Sequence, residues 1–252
     1  MCLIAFAFHA HPDYRLILAA NRDEFHDRPA EALHWWPERT DILAGRDLQA
    51  GGTWLAVGRS GRFATVTNYR ESLQKQLAAR SRGGLVSEFV AGNESPLDYS
   101  MNLDPNDFAG FSLLTAAGEE MAYVSNRGDD ARPLAPGVYG LSNASLDMPW
   151  AKVMRSKKAI QALLAGDTIH THSLFRLLAD RKPAPTEDDV GAGLPPELAR
   201  AVSAPFIATN GYGTRCSTVL LIGTSGQVEI HERRFDNAGL PAGESSFDFQ
   251  IG

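Results

Sequence analysis

Cysteine is scarce: Cys2 and Cys216 are the whole complement of the 252 residues. Two thiols cannot build a disulfide scaffold, and their scarcity points to a reducing, cytoplasmic compartment. Long apolar runs are missing as well. The longest, Met1 to Phe8, has no basic stretch before it. It falls far short of the roughly 18 residues that a membrane span needs, so no integral membrane segment is expected. Positive charge is in deficit, with 24 Lys and Arg against 30 Asp and Glu and a net charge of −6. No Lys/Arg cluster offsets this, which argues against a nucleic-acid partner. The metal and nucleotide signatures H-E-x-x-H, paired C-x-x-C and G-x-G-x-x-G do not occur, so no metal ligands are assigned. Gly and Pro, at 23 and 14, are too few for a collagen-like or low-complexity chain. Nothing reads as a linker or a repeat, and one domain over residues 1–252 is expected.

What is present is mostly strand signal. Cys2–Phe8 and Tyr14–Ala20 are apolar runs joined by a turn-like stretch and predict a hairpin. Thr53–Val57 and Arg62–Thr67 flank Gly58-Arg59-Ser60-Gly61, and Phe111–Ala116 and Met121–Val124 flank Gly118. Val138–Leu141 is a short further piece. Apolar spacing predicts helices over Gly84–Ala91, over Trp150–Leu164 with Trp150, Val153, Met154, Ile160, Leu163 and Leu164 on one face, and over His172–Leu178. Ser145 or Asp147 would cap the second of these, with Pro149 in its first turn and Gly166 at its stop. Lys182–Pro196 reads as a long surface loop. Ser217–Ile222, Gln227–Phe235 and Ser246–Ile251 read as a closing meander. The pair Trp35-Trp36 is expected in the core. Strands at both ends with helices between them predict an α+β protein with packed sheets.

Polar clusters end several of these strands, and they are where chemistry would sit. Cys2 follows the initiator methionine. With Met1 removed, one residue would carry both a thiol and a free amine that can act as its base. The competing reading is a small apolar residue in a core strand. Asn21-Arg22-Asp23-Glu24 ends the second strand, and the hairpin would bring it beside Cys2. A cation there favours a thiolate and a carboxylate can hold an ammonium, unless the cluster is merely a solvated loop. Thr67-Asn68-Tyr69-Arg70 and Gly140-Leu141-Ser142-Asn143 repeat the pattern with an asparagine, either an oxyanion donor or a turn residue. Gly211-Tyr212-Gly213-Thr214-Arg215 leads into another strand, with a close backbone approach or a tight turn as its alternatives.

Jointly these motifs resemble the NRDE family, also called the transport and Golgi organization protein 2 family. They are Met1-Cys2-Leu3-Ile4, Leu18 to Phe25 followed by Arg28-Pro29, Leu43 to Asp47, Gly51 to Trp54, Thr67 to Arg70, Gly140 to Asn143 and Tyr212 to Arg215. They run in family order over nearly the whole chain. The family is in turn similar to N-terminal-nucleophile hydrolases such as the penicillin V and bile-salt amidases. The resemblance implies a four-layer αββα sandwich of antiparallel sheets. It implies Cys2 as nucleophile, Asn68 as oxyanion donor, Asn143 as orienter of the amine, and catalytic places for Arg22, Asp23 and Arg215. Asn21, Glu24, Tyr69, Arg70 and Tyr212 fall to substrate binding. In the amidases the Arg and the Asp stand three residues apart, whereas Arg22 and Asp23 are adjacent.

Two functions follow from the resemblance. One is a hydrolase of an acyl amide or thioester that needs no cofactor. The other is a non-catalytic carrier of haem, acyl-lipid or acyl-coenzyme A, tied to secretion and Golgi organisation in animals. Haem would need an axial ligand, with Cys2 or one of His9, His11, His26, His34, His170, His172 and His231 as candidates. The oligomeric state stays open.

Overall fold

A computed structural model describes residues 2–70, 79–166, 168–185 and 194–252. The apolar alternation of the first hairpin organises everything else. β1 (Cys2–Phe8) and β2 (Tyr14–Phe25) pair antiparallel, with Ile4 opposite Ala20, Phe6 opposite Leu18 and Phe8 opposite Leu16. Directly opposed residues share a face of the sheet, so two apolar faces result. Both are buried.

The chain continues through β3 (Ala30–Trp36), β4 (Arg39–Asp47), β5 (Leu55–Gly58) and β6 (Phe63–Asn68). Helices α1 (Arg82–Ala91) and α2 (Pro96–Met101) follow, then β7 (Phe111–Ala117), β8 (Glu120–Ser125), β9 (Asp129–Pro133) and β10 (Gly137–Leu141). Next come α3 (Ala151–Leu164), α4 (Thr171–Leu178), α5 (Pro196–Val202), β11 (Tyr212–Gly223), β12 (Gln227–Phe235) and β13 (Pro241–Gln250). They form two antiparallel sheets, ordered β10-β1-β2-β11-β12-β13 and β3-β4-β5-β6-β7-β8-β9.

Between the sheets, Ile4, Phe6, Leu18 and Leu220 meet Leu43, Val57, Phe63 and Leu114. On the outer face of the first sheet, Ala5, Ala7, Ile17 and Ala19 meet Ile160, Leu174 and Leu178 of α3 and α4. On the outer face of the second, Ala44, Ala56 and Ala64 meet Leu85, Val86 and Phe89 of α1. Small residues on the helix-facing sides let the helices approach closely. The layers are therefore α, β, β, α, the expected sandwich.

Several expectations of detail change. β2 continues past Ala20 to Phe25, so Asn21–Glu24 belong to a strand and not to a loop after it. β3 and β4 were not foreseen. Trp36 is buried, while Trp35 is half-buried against Phe247 and Phe249, with the Arg59 guanidinium 3.9 Å from its ring centre. Neither Ser145 nor Asp147 caps α3, whose first flanking residue is Trp150. Asp147 instead accepts the Gly140 amide at 2.8 Å and pairs with Lys157 at 2.8 Å. The expected apolar face of α3 is also rotated: Lys152, Val153, Ser156 and Ile160 point inward and Met154 is exposed. The Lys182–Pro196 loop ends where α5 begins, and its residues 186–193 lie outside the described residues.

Candidate active site

The first sheet sets Arg22 between two thiols, because Cys2 of β1 and Cys216 of β11 both stand opposite it. Alternation turns these three toward the second sheet and turns Asn21 and Asp23 toward the helices. Their contacts agree. Arg22, 6% exposed, lies 4.3 Å from the Trp54 ring centre and 3.7 Å from the Asp47 carboxylate. Asp47 also accepts Arg28 Nε at 2.7 Å. Asp23 accepts the Thr214 hydroxyl at 2.6 Å on the other face. Adjacent positions in a strand thus point to opposite faces of the sheet, and both line one cavity with Cys2.

Cys2 itself is held by its backbone. Its N–H donates to Asn143 Oδ1 at 3.1 Å, and its carbonyl accepts the Ser142 hydroxyl at 2.7 Å. Asn143 Nδ2 donates to the Asn68 carbonyl at 2.7 Å, tying β1 to β6 across the sheets. Cys2, Arg22, Asp23, Glu24 and Asn68 line a cavity of about 100 Å³. Sequence reasoning missed the other wall. Arg28, Asp47, Thr53, Trp54, Ser81, Arg82 and Gly83 belong to it. The motifs Arg28-Pro29, Leu43–Asp47 and Gly51–Trp54 pointed to part of that wall, but Arg82-Gly83 carried no signal. Two glycines in these motifs answer to packing. A Cβ on Gly52 would stand 2.4 Å from the Gly83 backbone, and one on Gly45 would stand 2.4 Å from the Trp54 ring.

The remaining candidates support the site from outside the cavity. Asn21 Nδ2 donates to the Leu178 and Pro205 carbonyls, and its Oδ1 accepts the Ser217 hydroxyl. The Tyr69 and Arg70 amides donate to the Gly110 and Asn143 carbonyls. The Tyr212 hydroxyl donates to the Asp23 carbonyl at 3.0 Å. Arg215 is the extra residue of a β-bulge between Thr214 and Cys216. Its Nη1 donates to the carbonyls of Phe25, His26 and Arg28, so it clamps the turn that carries Arg28.

Electrostatics divide the two faces. Burial pushes the Cys2 thiol above its ordinary value and the Asp23 charge adds to this. The amino terminus, the Asp23 amide and Arg22 pull it down. Burial raises Asp23 to about 6, against the amino terminus, Lys152, Thr214 and Arg22. Cys216 is pushed well up, first by burial and then by Glu232. Met1, on which access to the Cys2 amine depends, lies outside the described residues.

The family model for Transport and Golgi organisation 2 matches residues 1–237. The chain belongs to that family. Among Transport and Golgi organisation 2 proteins, the human homolog is 35% identical, aligned over 100% of this chain and 99% of its own. The Drosophila melanogaster protein is 26% identical over 92% of this chain and 91% of its own. Two solved structures share the fold. A mutant conjugated bile acid hydrolase from Clostridium perfringens superposes with a TM-score of 0.57 at 8% identity, covering 98% of this chain and 92% of that one. A Caenorhabditis elegans ortholog of N-acylethanolamine-hydrolyzing acid amidase gives 0.52 at 10% identity, covering 87% and 92%. This Transport and Golgi organisation 2 chain therefore has an N-terminal-nucleophile hydrolase fold. No helix among its described residues is long and apolar enough to cross a membrane.

Proposed function

We propose that the chain is a cysteine N-terminal-nucleophile hydrolase acting on an acyl amide or thioester. The observation that carries this reading is the Cys2 main-chain nitrogen bound to Asn143 Oδ1, with the same residue lining a polar cavity beside Arg22. That is the arrangement a nucleophile needs when its own amine is the base. Asp23, on the helix side, is placed to hold that amine as an ammonium once it has taken the thiol proton.

The reaction runs in two halves. The Cys2 sulfur bonds to the substrate carbonyl carbon while its proton moves to the amine. The carbonyl electrons move onto oxygen, where the Asn68 amide donates to the oxyanion. Collapse expels the amine or thiol of the substrate, which takes the proton from the Cys2 ammonium. Water then attacks the acyl-cysteine thioester and releases the acid and the free thiol. Arg22, stacked on Trp54 and facing Asp47, lowers the charge cost of a thiolate. Asn143, Tyr212 and Arg215 keep Cys2, Asp23 and Arg28 in position. Glu24, Arg28 and Arg82 offer charge to the polar part of a substrate.

A haem carrier draws little from this site. Among the described lining residues there is no histidine, so an axial ligand there would have to be Cys2, the residue the hydrolase reading uses as nucleophile. An acyl carrier needs no axial ligand, and the same experiment separates it from the hydrolase. Acyl amides and acyl thioesters are screened for turnover on a chain whose intact mass shows Met1 removed. Turnover that Cys2→Ser abolishes supports the hydrolase. Turnover that survives the substitution, or tight acyl binding with no turnover at all, overturns it.

A further inference from the structure

One buried charge has no part in the steps above. Lys152, near the start of α3, is fully buried at 0% exposure. An ammonium taken out of water is penalised by several kcal/mol unless charge and hydrogen bonds compensate it. Its Nζ donates to the Val202 carbonyl at 3.0 Å, which satisfies a donor but supplies no countercharge. The countercharge is Asp23, 2% exposed on the helix-facing side of β2, whose carboxylate interacts electrostatically with Lys152. The helix approaches closely, since Val153 packs at Gly140, where a Cβ would stand 2.7 Å from Val153 Cγ1.

The charges around this pair can be stated element by element. The charges of Asp23 on β2 and Cys2 on β1 favour the charged form of Lys152, and that of Arg70 beyond β6 opposes it. The amino terminus, Lys152, the Thr214 hydroxyl of β11 and Arg22 all favour the charged form of Asp23. The amino terminus and Arg22 favour the Cys2 thiolate, and Asp23 opposes it. With Met1 removed, the Cys2 amine and Lys152 are two cations sharing one carboxylate. A neighbouring like charge disfavours protonation of an amine.

We propose that Lys152 is a positioning residue of this site: its buried charge engages Asp23 and so keeps the Cys2 amine in the neutral, proton-accepting form. The proposal rests on one part of the reading above, a free Cys2 amine beside its own thiol, and not on the acyl chemistry. Burial holds Lys152 down to about 8, so its charge is present at neutral pH. Without that charge, Asp23 pairs with the Cys2 ammonium alone and the first proton leaves the amine–thiol pair at higher pH.

The test is the pH dependence of Cys2 alkylation by iodoacetamide, read by peptide mass, on the full chain treated with methionine aminopeptidase. Below about pH 8, where Lys152 is charged in the parent, Lys152→Met should slow alkylation about tenfold, which reads as a midpoint raised by up to about one pH unit. Lys152→Arg should return the midpoint toward that of the parent. Lys152→Gln, which keeps a donor for the Val202 carbonyl, serves if the Met variant does not fold. A folded Met or Gln variant with an unshifted midpoint overturns the proposal. Failure of both to fold assigns Lys152 to the scaffold and overturns it too. A shifted midpoint in a chain that turns over no acyl substrate removes the hydrolase reading and leaves this one standing. An unshifted midpoint in an active hydrolase does the reverse.

Discussion

At the scale of single residues, the two cysteines differ by environment. Cys2 lines the cavity with Arg22 opposite it, whereas Cys216 is 4% exposed and its thiol is pushed well up by burial and by Glu232. Reactivity follows the thiolate and its access. A limiting neutral thiol reagent should therefore label Cys2 before Cys216, as peptide mapping over time will read. Equal rates, or Cys216 first, would contradict this. Asp23 gives a pH signature. Its folded-state value is raised from 3.8 to about 6, chiefly by burial. The protonated form is the one the fold favours, so its contribution is complete below about 4 and is lost as pH rises through about 6. The integrated shift is about 3 kcal/mol. Between pH 4 and 6 the stability of Asp23→Asn should therefore rise relative to the parent by up to about 3 kcal/mol in urea denaturation, from a starting difference that includes the lost Lys152 countercharge, with no further gain above that window. A difference that stays constant across that range would count against the assignment. Cys2 was legible because it follows the initiator methionine at the head of an apolar run, and Arg22 and Asp23 because they end one. Lys152 was not, because an apolar-face reading of its helix put Met154 inside, and Met154 is 50% exposed.

At the scale of elements, the first hairpin could be read because Cys2–Phe8 and Tyr14–Ala20 are apolar on both faces. Such runs mark strands covered on both sides. β3 and β4 could not, since Glu31, His34, Arg39, Thr40 and Asp41 break their alternation. Those strands earn their place by pairing: Leu43 stands opposite Trp35 and Val57, and the Leu33 amide donates to the buried Glu232 across the sheets at 2.9 Å. The polar wall of the cavity depends on one close approach between elements. The Thr53 amide donates to the Gly83 carbonyl at 3.2 Å, and Gly52 lies against Gly83. Gly52→Ala puts a carbon where backbone stands, and overpacking of this kind costs about 1–3 kcal/mol. Urea denaturation should show that loss, with Arg82 displaced and Cys2 labelling altered. Unchanged stability would mean that α1 can shift without strain.

At the scale of the molecule, the sandwich places the candidate site at the ends of two interior strands of its first sheet. β1 and β2 lie inside the first sheet, with β10 and β11 as their outer neighbours, so Cys2, Arg22 and Asp23 sit on strands paired along both edges. The second sheet supplies Asp47 and Asn68, the segment before β5 supplies Trp54, and Lys152 lies buried on α3 behind the site. Under the proposed function, removing the proposed oxyanion donor Asn68 should change rate without changing fold. Asn68→Ala should lower kcat by about 10²–10³-fold while ligand affinity holds, because a donor to charge formed in the transition state adds little to ground-state binding. Loss of affinity equal to the loss of kcat would instead make Asn68 a binding residue. The most direct measurement is the intact mass of the chain after brief exposure to an acyl thioester or acyl amide, followed by acid quench and peptide mapping. The account predicts a chain lacking Met1 that carries one acyl group on Cys2, and no adduct in Cys2→Ser. A chain that retains Met1 and takes up no acyl group on Cys2 from any substrate would contradict it.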